Sequence, residues 1–205
     1  MVLELGLLLV ILAFALLLKP WRQLAGGQRL TPLLASLVVL PWLWALPSVM
    51  NLPLQLQLSG ACAVTLMLGW PLAVPVLVVV GALSSLAGDL AFDVALAHTF
   101  WLGLVPATLA LGVGALLRRW TGEHPFVYIL GRAFMGTVLA TFLAASLGQA
   151  MGHELAAVSG GLSLVGHWLM AWGDGFLTGM LAALCVAFKP EWLATWSDRL
   201  YLKKP

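Results

Sequence analysis

Leu58–Gly88 reads LSGACAVTLMLGWPLAVPVLVVVGALSSLAG, and how often this run crosses a membrane decides the fold. As one helix it would be about 46 Å long at 1.5 Å per residue, too long for a hydrocarbon core of about 30 Å without strong tilt. Gly69-Trp70-Pro71 supplies a break, because proline interrupts a helix and glycine permits a reversal. Two short spans therefore replace one long one.

The rest of the chain sets the context for that choice. Its 205 residues are 62% hydrophobic and only 9% charged, where a soluble domain carries about 25% charged residues. The expectation is an all-α integral membrane protein of about seven transmembrane helices. A β-barrel would instead show alternating segments of about ten residues. The spans are read as Met1–Leu18, Pro32–Met50, about Leu54–Gly69, Leu72–Gly88, Phe100–Leu117, Phe126–Ala150 and Gly161–Phe188. Glu4 and the lack of a basic start argue against a cleaved signal peptide.

Charge placement supports seven spans over six. With seven, and the N-terminus outside, Lys19, Arg22, Arg29, Arg118, Arg119, Lys189, Arg199, Lys203 and Lys204 share the inner face, with Arg132 close to it. The outer connections Asn51–Pro53, Asp89–Thr99 and Met151–Gly160 then contain no Lys or Arg. Six spans would place Arg118 and Arg119 outside, against the positive-inside bias. Residues 1–188 form one polytopic domain and 189–205 a cytoplasmic tail. Trp192, Leu193, Trp196 and Leu200 in that tail suggest an interfacial helix with one aromatic face. A net charge of +2 implies no nucleic-acid partner. The principal partner is the lipid bilayer.

The polar residues in this apolar chain are the candidate sites. Asp174 lies near the middle of the last span, where a carboxylate needs a partner, a wet cavity or a proton. His167 is seven residues earlier, so on a regular helix the two share a face about 10.5 Å apart. Either they line a polar track, or each is tied off separately by hydroxyls or by Arg132. Asp89, Asp93 and His98 offer oxygen and nitrogen ligands for a divalent cation at an outer mouth. They read equally as ordinary loop residues, as do His153 and Glu154. Gln55 and Gln57 suit an extended segment, and Glu4 is expected at the outer interface. Small residues four apart (Ala110/Gly114, Ala140/Ala144, Gly148/Gly152, Gly175/Gly179) fit close packing within the bundle or a docking face for another subunit. Cys62 and Cys185 fall near opposite faces, so no disulfide is expected. No G-x-x-x-x-G-K-[ST], G-x-S-x-G or H-E-x-x-H occurs, so the chain is read as neither an ATPase nor a hydrolase.

Three stretches carry a resemblance. Ala171-Trp172-Gly173-Asp174-Gly175-Phe176-Leu177-Thr178-Gly179-Met180 followed by Lys189-Pro190-Glu191-Trp192-Leu193-Ala194-Thr195-Trp196, together with Leu58–Ala73 and His124–Ile129, resembles a short proteobacterial branch of the CbiM-type energy-coupling factor permeases. The resemblance runs over most of the chain from about Asn51. It implies a substrate-capture subunit of a cobalt or nickel importer in a bacterial inner membrane. A coupling transmembrane subunit and cytoplasmic ATPase subunits would drive it, with Co2+ or Ni2+ as cargo and no resident cofactor. Asp174 falls where the family tends to have an acid before glycine. The metal-binding members begin Met-His and carry a further His in the region matching Asn51–Gly60. Here the start is Met1-Val2-Leu3-Glu4, and that region contains no His. Asp174, His167, His98, Asp89 and Asp93 are therefore the candidates for a changed ligand set.

Overall fold

The computed structural model describes residues 2–50, 57–121, 124–153 and 160–201. Gln55, Glu154, Lys203, Lys204, the Met1 amine and the Asn51–Pro53 connection lie outside them. Apart from turns, the described chain is helical. Five helices are long and apolar enough to cross a membrane: Leu30–Val49, Trp70–Gly88, Phe92–Trp120, Val127–Ala150 and Gly161–Phe188. The protein is a multi-pass, all-α membrane protein. In chain order the helices are α1 (Val2–Leu17), α2 (Leu30–Val49), α3 (Ala61–Leu68), α4 (Trp70–Gly88), α5 (Phe92–Ala97), α6 (Val105–Thr121), α7 (Gly136–Ala150), α8 (Gly160–Phe188) and α9 (Asp198–Tyr201). Two π-helical segments, His98–Leu104 and Val127–Met135, join α5 to α6 and lead into α7.

The break expected at Gly69-Trp70-Pro71 is present. Gly69 has φ +77, a conformation costly for any residue with a Cβ, and Pro71 sits in the first turn of α4, where its missing N–H costs nothing. The segment before it departs from a full span. α3 has only eight residues, about 12 Å of helix, and Gln57–Gly60 ahead of it is irregular, with Gly60 at φ +64. The expected third span is thus a half-helix preceded by non-helical backbone.

Two further boundaries differ from the sequence reading. The fifth span begins at Phe92 rather than Phe100. The connection closes in a few residues because Asp89 takes a left-handed conformation (φ 47) and Leu90 N donates to Ser85 O. Asp93 therefore lies in the first turn of α5, and His98 lies within helix rather than in a loop. The tail is not one amphipathic helix. It forms a 3-10 turn at Pro190–Trp192, an extended residue at Leu193 and a single turn at Asp198–Tyr201. Leu193, Trp196 and Tyr201 are buried against Leu66, Tyr128, Ala133 and Ala182. Trp196 stacks on Tyr201 with ring centroids 4.6 Å apart, and Tyr128 meets both rings edge-on. The tail caps the bundle instead of lying on its surface.

Of the glycines at four-residue spacing, Gly114, Gly148, Gly175 and Gly179 resolve as internal packing, whereas Gly152 meets open space. A Cβ on Gly175 would sit 2.5 Å from Val138 Cγ2, and one on Gly179 would sit 3.1 Å from Phe134 Cβ. Gly148 faces Trp101 and Gly114 faces Arg132 in the same way. These positions let α7 and α8 approach closely. The lipid-facing surface is made by exposed Leu9, Val10, Phe14, Val38, Leu86 and Leu169, among others.

Candidate functional site

Asp174 sits on α8, 4% exposed, and its carboxylate points at the start of the half-helix. Oδ2 accepts from Ser59 N at 2.8 Å and Oδ1 from Gly60 N at 3.1 Å. These amides immediately precede α3, where a helix leaves N–H groups without partners and presents its positive dipole end. A carboxylate there does the work of an N-cap supplied from a distant part of the chain. The remaining polar atoms of the irregular segment are held as well. Trp44 Nε1 donates to Ser59 O at 2.9 Å, and Gln57 Nε2 donates to Trp44 O at 3.0 Å. Ser59 Oγ accepts from Ala61 N and donates to Leu102 O at 2.6 Å. That carbonyl needs a donor because Pro106, four residues on, has no N–H to offer.

The C-terminal end of α3 is held by the tail. Ala194 N donates to Met67 O at 3.0 Å and Thr195 N to Leu66 O at 3.3 Å. The Thr195 hydroxyl also donates to Leu66 O, leaving it to accept from Tyr128 OH at 2.8 Å. With both ends satisfied, irregular backbone is tolerable at membrane depth, since it is buried in protein. The Asp174 centre is saturated.

The other end of the bundle is arranged differently. Lys19, Arg22, Arg29, Arg118, Arg119 and Lys189 all fall at the helix ends nearest the tail, where Arg29 Nη1 donates to Gln23 Oε1 beside Gly69. At the opposite end, Glu4 is buried, not exposed at an interface. Its Oε1 accepts from Trp101 Nε1 at 2.8 Å and lies 2.6 Å from His153 Nε2. His98 belongs to the same end, close enough to His153 for their charges to interact. His98 Nδ1 is nonetheless buried without a hydrogen-bond partner, and so are His167 Nδ1 and Ser146 Oγ. Gly179 meets Phe134 and Gly175 meets Val138. Continued four residues at a time along these antiparallel helices, that register sets Ser146 at the level of His167.

The five candidates from sequence thus separate. Asp174 is committed to two backbone amides and does not pair with Arg132. His98 and His167 keep an unmet ring nitrogen. Asp89 caps α4 in its left-handed turn and Asp93 opens α5, both at the imidazole end. Among the described residues, no group of three or more His, Cys, Asp or Glu side chains converges. A cavity of about 10 Å3 lies between Ala63, Leu66, Thr178, Ala182 and Leu193, room for no more than a water. The Glu4 contact was missed, although a carboxylate four residues into an apolar helix was a usable signal. Trp101 and Ser59 gave none.

No family model, no characterised protein and no solved structure matches the chain.

Proposed function

We propose that this protein is a membrane-embedded substrate-capture subunit of an energy-coupling-factor-type importer, with a divalent transition metal ion such as Co2+ or Ni2+ as cargo. One observation carries the reading: two imidazole nitrogens, on His98 and His167, are buried without partners at the end opposite the basic residues. A buried polar atom left unpaired is costly, and two imidazoles kept so at one end of the bundle support a ligand-binding role there. Imidazole nitrogen suits these metals, and the Glu4–His153 contact lies on the His98 side of the same end. In this reading the basic end faces the cytoplasm of a bacterial inner membrane and the imidazole end faces outward. Asp174 serves as the strap that holds a discontinuous span, a device transporters use at the membrane midplane. The chain performs no hydrolysis itself. A coupling transmembrane subunit and ATPase subunits supply the drive.

The test is Co2+ and Ni2+ binding by the purified full chain, with metal content measured directly. His98→Ala and His167→Ala are each expected to weaken binding about tenfold or more. A wild-type chain that takes up neither ion sinks the metal reading. A second reading then stands on the lack of a converged three-ligand group among the described residues: a non-metal small-molecule transporter or a membrane scaffold that kept the fold. Co-purification with an ATPase pair separates a transporter from a scaffold.

A further inference from the structure

We infer that Arg132 forms a binding site for a phosphate group at the basic end of the bundle, independently of what the protein transports. Arg132 lies on the π-helical segment that opens the long helix Val127–Ala150, about 7.5 Å beyond Val127 at helical rise. Its Nε and Nη1 are buried and have no acceptor among the described residues. The guanidinium is fixed in place from two sides. A Cβ on Gly114 would sit 2.6 Å from Nε, so only glycine leaves room there, and the Tyr128 ring lies 5.9 Å from Cζ. A long cation held this firmly, with two donors unspent, is built to receive an oxyanion, and the planar fork of arginine matches phosphate.

The surroundings point to a phosphate carried at the membrane surface. Arg118 and Arg119 occupy the last turn of α6, the helix that carries Gly114. Trp120 and Phe126, at the facing ends of these two helices, are 75% and 68% exposed, as aromatic side chains at headgroup level are. Leu116 and Leu130 are exposed one to two turns deeper, where acyl chains would lie. Basic pockets between transmembrane helices with this layout hold anionic headgroups. The same fork would also accept free phosphate, so the two sources need separate arms.

The full chain would be placed in nanodiscs of mixed phosphatidylglycerol and phosphatidylcholine, and the lipid retained after delipidation counted by mass spectrometry. Wild type is expected to retain phosphatidylglycerol over phosphatidylcholine. Arg132→Gln should cut that preference about fivefold, the worth of one arginine at an anionic surface, and Arg132→Lys should restore part of it. In a second arm, pure phosphatidylcholine discs are titrated with inorganic phosphate, and binding lost in Arg132→Gln assigns the site to the free anion. A wild type with no lipid preference and no phosphate binding overturns the proposal, whatever the variants do. So does a paired Arg118→Gln, Arg119→Gln variant that loses as much as Arg132→Gln, because the attraction would then be diffuse surface charge.

Discussion

The Asp174 centre and the imidazole end place similar chemistry in opposite states. Asp174 gives both oxygens to backbone amides, and every polar side chain around the irregular segment has a partner. At the imidazole end, two histidines keep a buried nitrogen with none. In a bilayer, where water cannot repair a missing bond, saturation marks a structural joint and a shortfall costs stability. An intramembrane acid is the first residue a reader suspects of function. Here the acid is the joint, and the quieter imidazoles are the groups left without a partner among the described residues.

Substitutions can break that contrast. The largest effect is expected for Asp174→Ala, which strips two charge-assisted bonds and leaves two amides buried, about 3–5 kcal/mol by the usual worth of such bonds. Thermal unfolding of the purified protein should show a drop of about 10 °C or a failure to fold, with Asp174→Asn in between. A fully stable Asp174→Ala that loses metal would reverse the assignment. Gly81→Ala comes next, because its Cβ would collide with Thr99 Oγ1, beside His98. Overpacking of this kind costs about 1–3 kcal/mol, and metal binding should fall with stability as the π-helical segment is displaced. Glu4→Gln should cost about 1–2 kcal/mol by weakening the contacts to Trp101 and His153. Disulfide trapping between cysteines placed on α1 and on the α5 side would show whether α1 loosens. The smallest stability change belongs to His98→Leu and His167→Leu, within about 0.5 kcal/mol of wild type because an unmet nitrogen is removed. These two should nevertheless each weaken, by about tenfold or more, the ion binding that Asp174→Asn, where folded, retains.

Composition and charge made the membrane class, the helical architecture and the Gly69 break legible, because each is a local or summed property. What escaped was set by tertiary partners. Nothing near Ser59 indicates that its amide meets a carboxylate 115 residues away. The half-helix looked like a short full span because apolar residues run on through both its regular and its irregular parts. His98 looked like a loop residue because the turn at Asp89 is far tighter than the polar stretch Asp89–Thr99 suggests. Asp174 and His167 shared a helix face on paper, yet one is bound to the α3 segment and the other keeps a ring nitrogen with no partner among the described residues. Periodicity along one helix cannot say which neighbour lies opposite each turn.

The half-helix is held at its front by Asp174 and at its back by Ala194 and Thr195, so the third segment of the chain is completed by its last. A ribosome will have delivered the Ser59 amide and the Leu66 carbonyl to the membrane well over a hundred residues before Asp174 and Thr195, which bind them, exist. Until then, Ser59 N, Gly60 N and the carbonyls of Leu66 and Met67 have to find other company. Completion of the half-helix therefore depends on a part of the chain made much later. The long helices can enter one by one, while the segment between Gln57 and Leu68 waits, and it closes only when the end of the chain folds back beneath it. A prematurely terminated product would bear the mark of its incompleteness at a place far from the cut, which gives membrane quality control a simple signature to read.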